Sequence, residues 1–280
     1  MGPDAGGCVG GGAEGPAEDS GASGMPVGDL PVHGPVSVDL ASPSVALAVG
    51  AHPDDVEFGC GATLAKWAAA GCRLHHLVLT DGSKGTWNAG GDTSELVATR
   101  RREQTAAARV LGGGEVTFLD YVDGELDSGL EARRAVCKVI RETRPDVVLG
   151  HDPWRRYRIH PDHRHAGWLV TDGVVAARDP KFFPDVGPAP HRPSALLLWE
   201  ADEPNHVEDV AGFVEAKLAA LMAHASQHRS TMGIGPGGPD TGAGPGSAAD
   251  FRRRLQRQLA AHGALAGLDA GEAFHRISPL

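Results

Sequence analysis

The chain of 280 residues is long enough for one large α/β domain with a sizeable core. Aspartate and glutamate outnumber lysine and arginine by 36 to 26, and the basic cluster that stands out is an arginine triplet at 252–254, expected on the solvated face of a helix. A nucleic-acid partner is therefore disfavoured, because binding to phosphates needs a concentrated basic surface.

Residues 1–43 are rich in glycine, proline and alanine and contain few large apolar side chains. Such a segment buries too little surface to offset the entropy of ordering it, so we predict a mostly disordered tail. It has neither a basic region followed by an apolar one nor any other mark of a secretory signal. We expect a single domain over residues 44–280.

From residue 44 onward, short apolar runs alternate with segments of helical periodicity. The predicted strands are 45–49, 74–79, 116–119, 146–149 and 195–199, and 269–277 is a possible last edge strand. The predicted helices are 59–70, 95–111, 130–144, 163–177, 210–228 and 250–262. Consecutive βα units imply a Rossmann-like, doubly wound, mostly parallel α/β sheet with helices on both faces.

Two segments, 179–193 and 232–247, contain too much proline or glycine for regular structure. Long loops of this kind are usually functional lids or disordered linkers. Both could border a functional site, and the sequence does not indicate which of them is ordered.

Cysteine spacing and hydropathy limit the cellular setting. The four cysteines show no CxxC spacing, which favours reduced, buried thiols in a cytoplasmic protein. No apolar run reaches the length of a membrane span, so no integral membrane segment is expected.

The sequence AHPDD at 51–55 follows the first predicted strand, at the end of a parallel sheet where ligands bind. His52 and Asp55 are a nitrogen and a carboxylate ligand three residues apart, a pair that suits one zinc ion. Asp54 lies between them and must point elsewhere, which leaves it free to act as a base. The alternative is that Pro53-Asp54-Asp55 is only a turn and a helix cap.

A second polar motif, HPDH at 160–163, follows the strand predicted at 146–149 after a short loop. It supplies a third possible ligand, His163, and a spare imidazole, His160. Either motif alone is a weak signal, whereas the two in this order, each after a strand, are specific.

Together the two motifs resemble those of the LmbE-like, or PIG-L-type, zinc-dependent de-N-acetylases, over about residues 44–229. The resemblance implies one zinc ion per chain and six site residues. The ligands would be His52, Asp55 and His163, the general base Asp54, and the cation facing the oxyanion or the leaving nitrogen His160, with Asp162 orienting it.

The resemblance also implies three substrate-binding residues. Arg100 matches an RxxE pair whose arginine reaches a substrate oxygen, although an exposed charged helix is the alternative. Asp123 matches a position that binds a sugar hydroxyl, although an Asp-Gly turn is almost as good an interpretation. Relatives place a tyrosine two residues before the histidine at 160, where this chain has Arg158, so Tyr157 is the candidate. We expect His151 to be a strand-end residue.

The leading hypothesis is zinc-dependent removal of an acetyl or longer acyl group from an amino-sugar conjugate of the N-acetylglucosamine type. One alternative is a dinucleotide-binding Rossmann protein, because Gly59-x-Gly61 opens a helix and Asp81 follows about 20 residues later. A third glycine is absent, however, and the acids of 54–57 would repel a pyrophosphate. The other alternative is a non-catalytic sugar-binding relative. The acceptor sugar and the oligomeric state stay open.

Overall fold

The computed structural model describes residues 35–235 and 246–280, so residues 1–34 of the predicted tail and 236–245 of the second loop lie outside the described part. Its strands are β1 (Ser37–Val38), β2 (Val45–Gly50), β3 (Arg73–Thr80), β4 (Glu115–Tyr121), β5 (Val147–His151), β6 (Ala195–Trp199), β7 (His206–Asp209) and β8 (Gly271–Ile277). Its α-helices are α1 (Asp55–Ala69), α2 (Thr93–Val110), α3 (Leu130–Thr143), α4 (Pro161–Arg178), α5 (Val214–Met222) and α6 (Ala248–Ala264).

These strands form one sheet in the order β1-β7-β8-β6-β5-β2-β3-β4. The five strands from β6 to β4 run parallel, and they are the five predicted from the sequence. The central strands β2 and β5 are almost entirely buried, because α3 and α4 cover one face and α1, α2 and α5 the other. The predicted doubly wound α/β fold is confirmed.

The last strand, β8, lies inside the sheet, antiparallel to both β6 and β7. The prediction of an edge strand at 269–277 is therefore wrong in position. The physical reason is that β7 and β1 continue the sheet beyond it. These two strands are short, and the sequence pattern does not reveal them.

The segment 35–43, predicted to belong to a disordered tail, is ordered. Ser37–Val38 pairs in parallel with β7. The ammonium of Lys66 bridges the carboxylates of Asp39 and Glu208, at 2.5 and 2.8 Å. Hydrogen bonds and an ion pair fix this segment, and a composition poor in apolar residues does not predict them.

The loop 179–193 is also ordered, and it lies at the amino edge of the parallel strands. The ring nitrogen Nε2 of His191 is 2.7 Å from the carbonyl oxygen of Pro145, just before β5. This loop connects a helix to a strand, so it must lie at the edge opposite the strand carboxyl ends. No residue of it lines the main cavity described below, so the expectation that it borders the site is wrong.

The predicted helices are confirmed with two differences in extent. Helix α1 begins at Asp55, four residues early, and is kinked at Cys60. The single helix predicted at 210–228 is a 3-10 turn, α5 and a second 3-10 turn, Ala225–Gln227. Among the helices of the described part, none combines the length and the apolar character needed to cross a membrane.

Candidate active site

The carboxyl ends of the parallel strands open into a cavity of about 560 Å³. The chain leaves β2 toward β3 and β4 on one side and later adds β5 and β6 on the other, so the strand order reverses between β2 and β5. Open α/β sheets bind ligands at such a switch point. The loop after β2 and the loop after β5, which carry the two motifs, meet there.

The three predicted metal ligands lie in one compact cluster. Nδ1 of His52 is 3.2 Å from Nε2 of His163 and 3.4 Å from Oδ2 of Asp55. Oδ1 of Asp55 is 3.3 Å from Nε2 of His163. Two imidazoles and one carboxylate are a donor set found at catalytic zinc sites. Side chains that could hold a metal ion fall into three overlapping groups here: His52–His160–His163, Asp55–His151–His163 and His52–Asp123–Asp162.

Further side chains hold the cluster in orientation. Nε2 of His52 lies 3.1 Å from Oδ2 of Asp162 and 3.2 Å from Oδ1 of Asp123. Nε2 of His151 lies 3.2 Å from Oδ2 of Asp55, and the indole of Trp199 donates to Nδ1 of His151 at 3.0 Å. Because metal-binding residues are usually held by such outer hydrogen bonds, these contacts support a metal site.

The electrostatics of the cluster favour positive charge at its centre. Burial opposes ionisation of Asp55, but the neighbouring His163 and His151 more than compensate, and its pKa is well below the usual range. Burial likewise opposes protonation of His52, yet its contacts with Asp123, Asp162 and Asp55 raise its pKa well above the usual value. A divalent cation among these carboxylates would satisfy the same need, so the residues fit a metal ion.

Asp54 faces the cavity beside the cluster and takes no part in it. It is the cap residue of α1, with φ 110° and ψ −23°. Its Oδ2 atom is buried and has no hydrogen-bond partner in the described part of the chain, and Nη2 of Arg100 is 3.5 Å away. Burial raises the pKa of Asp54 to about 6, and the charge of Arg100 opposes the rise. An unengaged carboxylate of this kind can accept a proton.

The ring of His160 also lines the cavity, with its centroid 4.7 Å from that of His52 and 4.7 Å from that of His163. Its Nδ1 atom has no hydrogen-bond partner among residues 35–235 and 246–280. Burial, and then the charges of His52 and His163, lower the pKa of His160. Asp162 does not bond to His160 as expected, because its Oδ2 atom lies against His52 and accepts the amide of Gly124 at 2.6 Å.

Arg100 lies at the cavity wall, and its side chain is buried. Its guanidinium donates to the carbonyl oxygens of Pro53 and Gly82 at 2.6 and 2.9 Å. The alternative of an exposed charged helix therefore does not hold for Arg100. Glu103, its predicted companion, instead accepts from the amide and hydroxyl of Ser226 at 2.8 and 2.6 Å.

Asp123 combines both of its predicted interpretations. It precedes the turn glycine Gly124, and its carboxylate reaches His52 with one oxygen while the other accepts the amide of Lys84 at 3.0 Å. The pKa of Asp123 is lowered, since its contact with His52 outweighs burial. In this structure its contacts are with a candidate metal ligand and with the loop after β3.

Tyr157, predicted to bind substrate, is 94% exposed and does not line the cavity. The reason is a tight turn: Tyr157 has a left-handed backbone with φ 59°, so that the next residue turns inward. Arg158 occupies the cavity wall instead, with Nη2 2.6 Å from Nδ1 of His163 and an ion pair to Glu200.

Several cavity residues escaped the sequence interpretation. His151 was noted only as a strand-end residue, yet the same strand-end position that identified the motifs could have marked it. Gln227 and Thr231 reach the cavity from the segment after α5. No local pattern marks them, since more than 100 residues separate them from the first motif and only the tertiary fold brings them there.

The fold and the site define a class: an α/β protein with a histidine–carboxylate cluster of metal-binding type at the carboxyl edge of a parallel sheet. The family model described as PIG-L, GlcNAc-PI de-N-acetylase, matches residues 47–174. Diacetylchitobiose deacetylase of Thermococcus kodakarensis is 38% identical over 184 residues, which cover 65% of this chain and 69% of that protein. The chain belongs to the PIG-L family, as its motifs predicted.

Two further relatives support this assignment. A 1D-myo-inositol 2-acetamido-2-deoxy-alpha-D-glucopyranoside deacetylase of Rhodococcus opacus is 32% identical over 237 residues, with 65% of this chain and 80% of that protein covered. The solved structure of N,N′-diacetylchitobiose deacetylase from Pyrococcus horikoshii, in complex with an inhibitor, has a TM-score of 0.74 and 31% identity. It covers 84% of each chain.

Proposed function

We propose that this protein is a zinc-dependent hydrolase that removes an acetyl or longer acyl group from the nitrogen of an amino-sugar conjugate. The observation that carries the proposal is the cluster of His52, Asp55 and His163 with the unengaged carboxylate of Asp54 beside it. The names of the relatives, deacetylases of diacetylchitobiose and of an acetamido-glucopyranoside of inositol, support the substrate class.

His52, Asp55 and His163 would hold the zinc ion, and three protein ligands leave one position open. When bound, the ion supplies a Lewis acid that polarises the amide carbonyl and lowers the pKa of water. Asp162 and Asp123 keep the ring of His52 in place through its Nε2 atom, and His151 does the same for Asp55. These contacts fix the donor atoms before any ligand arrives.

Asp54 and His160 would move the protons of the reaction. Asp54 accepts a proton from the water that attacks the amide carbon, since its Oδ2 atom is unengaged and faces the cavity. His160 carries a proton to the leaving nitrogen or, as a cation, faces the developing oxyanion. Amide hydrolysis needs both functions, because the carbonyl is weakly electrophilic and the amine is a poor leaving group.

The amino sugar would bind between the cluster and the polar rim of the cavity. Lys84, Gln227 and Thr231 lie on this rim and offer donors and acceptors for sugar hydroxyls. Arg100, Asp123 and the segment 232–247 are further candidates for substrate contact. The proposed substrate is thus a small glycoconjugate.

The dinucleotide-binding alternative loses both of its cues. A side chain at Gly59 would collide with the ring of Trp199, within 2.4 Å of the Cβ position, so close packing explains this glycine. Asp81 accepts the amides of Ser83 and Asp123, at 2.9 and 3.1 Å. Its carboxylate is thus used within the loop after β3.

The test is release of primary amine from N,N′-diacetylchitobiose and from N-acetylglucosaminyl-inositol, with purified protein before and after treatment with a chelator. We expect amine release from at least one of them, its loss with the metal, and its return on addition of Zn²⁺. Stoichiometric metal without amine release from any N-acyl amino sugar would contradict the proposed reaction and favour the non-catalytic alternative. Full activity after complete metal removal would contradict the proposed mechanism.

A further inference from the structure

Two side chains of α2 hold the peptide group between Pro53 and Asp54. Nη2 of Arg100 donates to the carbonyl oxygen of Pro53 at 2.6 Å. The side-chain oxygen of Gln104 accepts the amide of Asp54 at 2.9 Å. Residues four apart project from the same face of a helix, so both polar atoms of one peptide group are fixed from a single element.

This peptide group controls the direction of the Asp54 side chain. Asp54 has φ 110°, a left-handed region that residues with a Cβ atom rarely adopt. Such a backbone persists only where the surrounding structure holds it in place. Rotation of the peptide group would relax φ and swing the carboxylate away from the cavity. The bonds from Arg100 and Gln104 oppose that rotation, since it would turn the carbonyl and the amide away from their partners.

Gln104 is itself held in one orientation. Its Nε2 atom donates to Oε1 of Glu57 at 2.7 Å, and Oε2 of Glu57 lies 3.3 Å from Nε2 of His224. All three side chains are fully buried. Because an ionised carboxylate only accepts, the amide nitrogen of Gln104 must face Glu57 and its oxygen must face Asp54.

We propose that Gln104 is a positioning residue for Asp54 and acts, together with Arg100, through the Pro53–Asp54 peptide group. This inference rests on the proposed role of Asp54 as the base of the reaction. Gln104 does not line the cavity, so it acts without touching substrate. Glu57 and His224 extend the support to the segment after α5, which also supplies Gln227 to the cavity.

The first variant is Gln104→Met, which preserves length and removes both hydrogen bonds. Displacement of a reacting group by about 1 Å can cost about 100-fold in rate. We expect kcat to fall about 10- to 100-fold, with KM for the N-acetyl substrate within about twofold and metal content unchanged, because only a step after binding is affected. Thr105→Val is the matched control, since Thr105 bonds only to the carbonyl of Arg101, at 2.9 Å, and it should keep wild-type kcat.

An exchange of amide and acid separates positioning from general damage to the core. Gln104→Glu alone sets two carboxylates against each other and should lose activity. Combined with Glu57→Gln, it restores an acceptor for the Asp54 amide and a donor toward position 104. We expect the double variant to recover kcat to within about threefold of wild type, because the coupled pair is rebuilt.

A crystal structure of Gln104→Met gives a readout that does not depend on activity. We expect Asp54 to leave the left-handed region. An unchanged Asp54 backbone, wild-type kcat in Gln104→Met, or a double variant no better than Gln104→Glu would each overturn the inference. If the wild-type protein proves inactive on every N-acyl amino sugar, the proposed function fails, and the crystal structure still decides whether Gln104 sets the conformation of Asp54.

Discussion

The sheet buries polar groups at both of its edges and treats them differently. At the amino edge, the guanidinium of Arg141 is 2% exposed and donates to six carbonyl oxygens, those of Ala176, Ala177, Asp179, Phe182, Phe183 and Val186. At the carboxyl edge, Oδ2 of Asp54, Nδ1 of His160 and Oδ1 of Asp162 are buried and, in the described part of the chain, have no hydrogen-bond partner.

This difference separates a group that stabilises the fold from groups kept available for a ligand. An unsatisfied buried polar group costs about 1–3 kcal/mol, so three of them at one edge destabilise the protein unless a ligand engages them. The amino edge has every donor of its buried cation satisfied. Variants at the two edges should therefore differ in what they change, chemistry or stability.

The largest effect is expected from Asp54→Asn at the carboxyl edge. The substitution keeps the shape of the side chain and removes the proton acceptor. Loss of a general base typically lowers the rate by about 10²- to 10⁴-fold, so kcat should fall by that factor while the midpoint of thermal unfolding stays close to that of wild type. Steady-state kinetics and calorimetry of the same preparation check this, and wild-type turnover would be incompatible with the proposed role of Asp54.

At the amino edge, Arg141→Met should lower stability without changing the chemistry. Six carbonyl oxygens lose a buried partner, and we expect the free energy of unfolding to fall by about 3 kcal/mol or more. Urea denaturation measures this loss, and kcat of the folded protein should stay at its wild-type value. The control is Arg144→Met, because Arg144 is exposed and makes one long hydrogen bond, 3.5 Å to the carbonyl of Ala189. Similar stabilities for the two variants would contradict the contrast between the edges.

A smaller effect is expected where the carboxyl edge supports its ligands. His151→Ala removes the donor that holds Oδ2 of Asp55. Loss of such a contact typically weakens metal binding about 10- to 100-fold, which competition with a chelator measures. His165→Ala is the control, since His165 lies beside Ser128, at 3.2 Å, and belongs to none of the candidate metal groups. Equal metal affinity in both variants would show that His151 has no part in the site.

The smallest effect concerns the two proline- and glycine-rich loops. Thr231, just before the segment 232–247, lines the cavity, whereas the loop 179–193 lies at the amino edge. Shortening residues 236–245 should change the preference between a disaccharide and a larger glycoconjugate by a few fold, with the preference defined by the ratio of kcat/KM values. Shortening 184–190 should leave that ratio unchanged. The reverse pattern would mean that the loops have been assigned to the wrong edges.

The sequence predicts those parts of the molecule that local patterns specify. The apolar run before His52 marks β2, and the polar residues that follow it must lie at the carboxyl edge of a parallel sheet. The clustering of His52, Asp55 and His163 follows from two such strand ends on neighbouring strands. Nothing beyond strand order was needed to bring them together.

The rest depends on tertiary contacts and on single backbone angles. Tyr157 and Arg158 are adjacent, and one left-handed residue decides that the arginine enters the cavity while the tyrosine faces solvent. Gln104 reads as an ordinary polar residue of a charged helix, and only the packing of α2 on the loop after β2 gives it the Asp54 amide as a partner. The interior position of β8 likewise depends on β7, a strand of four residues that has no strong signal of its own.

The central claim is that two adjacent aspartates have different tasks, and metal content measures it most directly. Elemental analysis of the wild type, Asp54→Asn and Asp55→Asn, purified side by side, should find about one zinc ion per chain in the first two and a large loss in the third, because only Asp55 contributes a carboxylate to the cluster. No stoichiometric metal in the wild type would contradict the account. Retention of metal by Asp55→Asn with its loss from Asp54→Asn would reverse the two assignments.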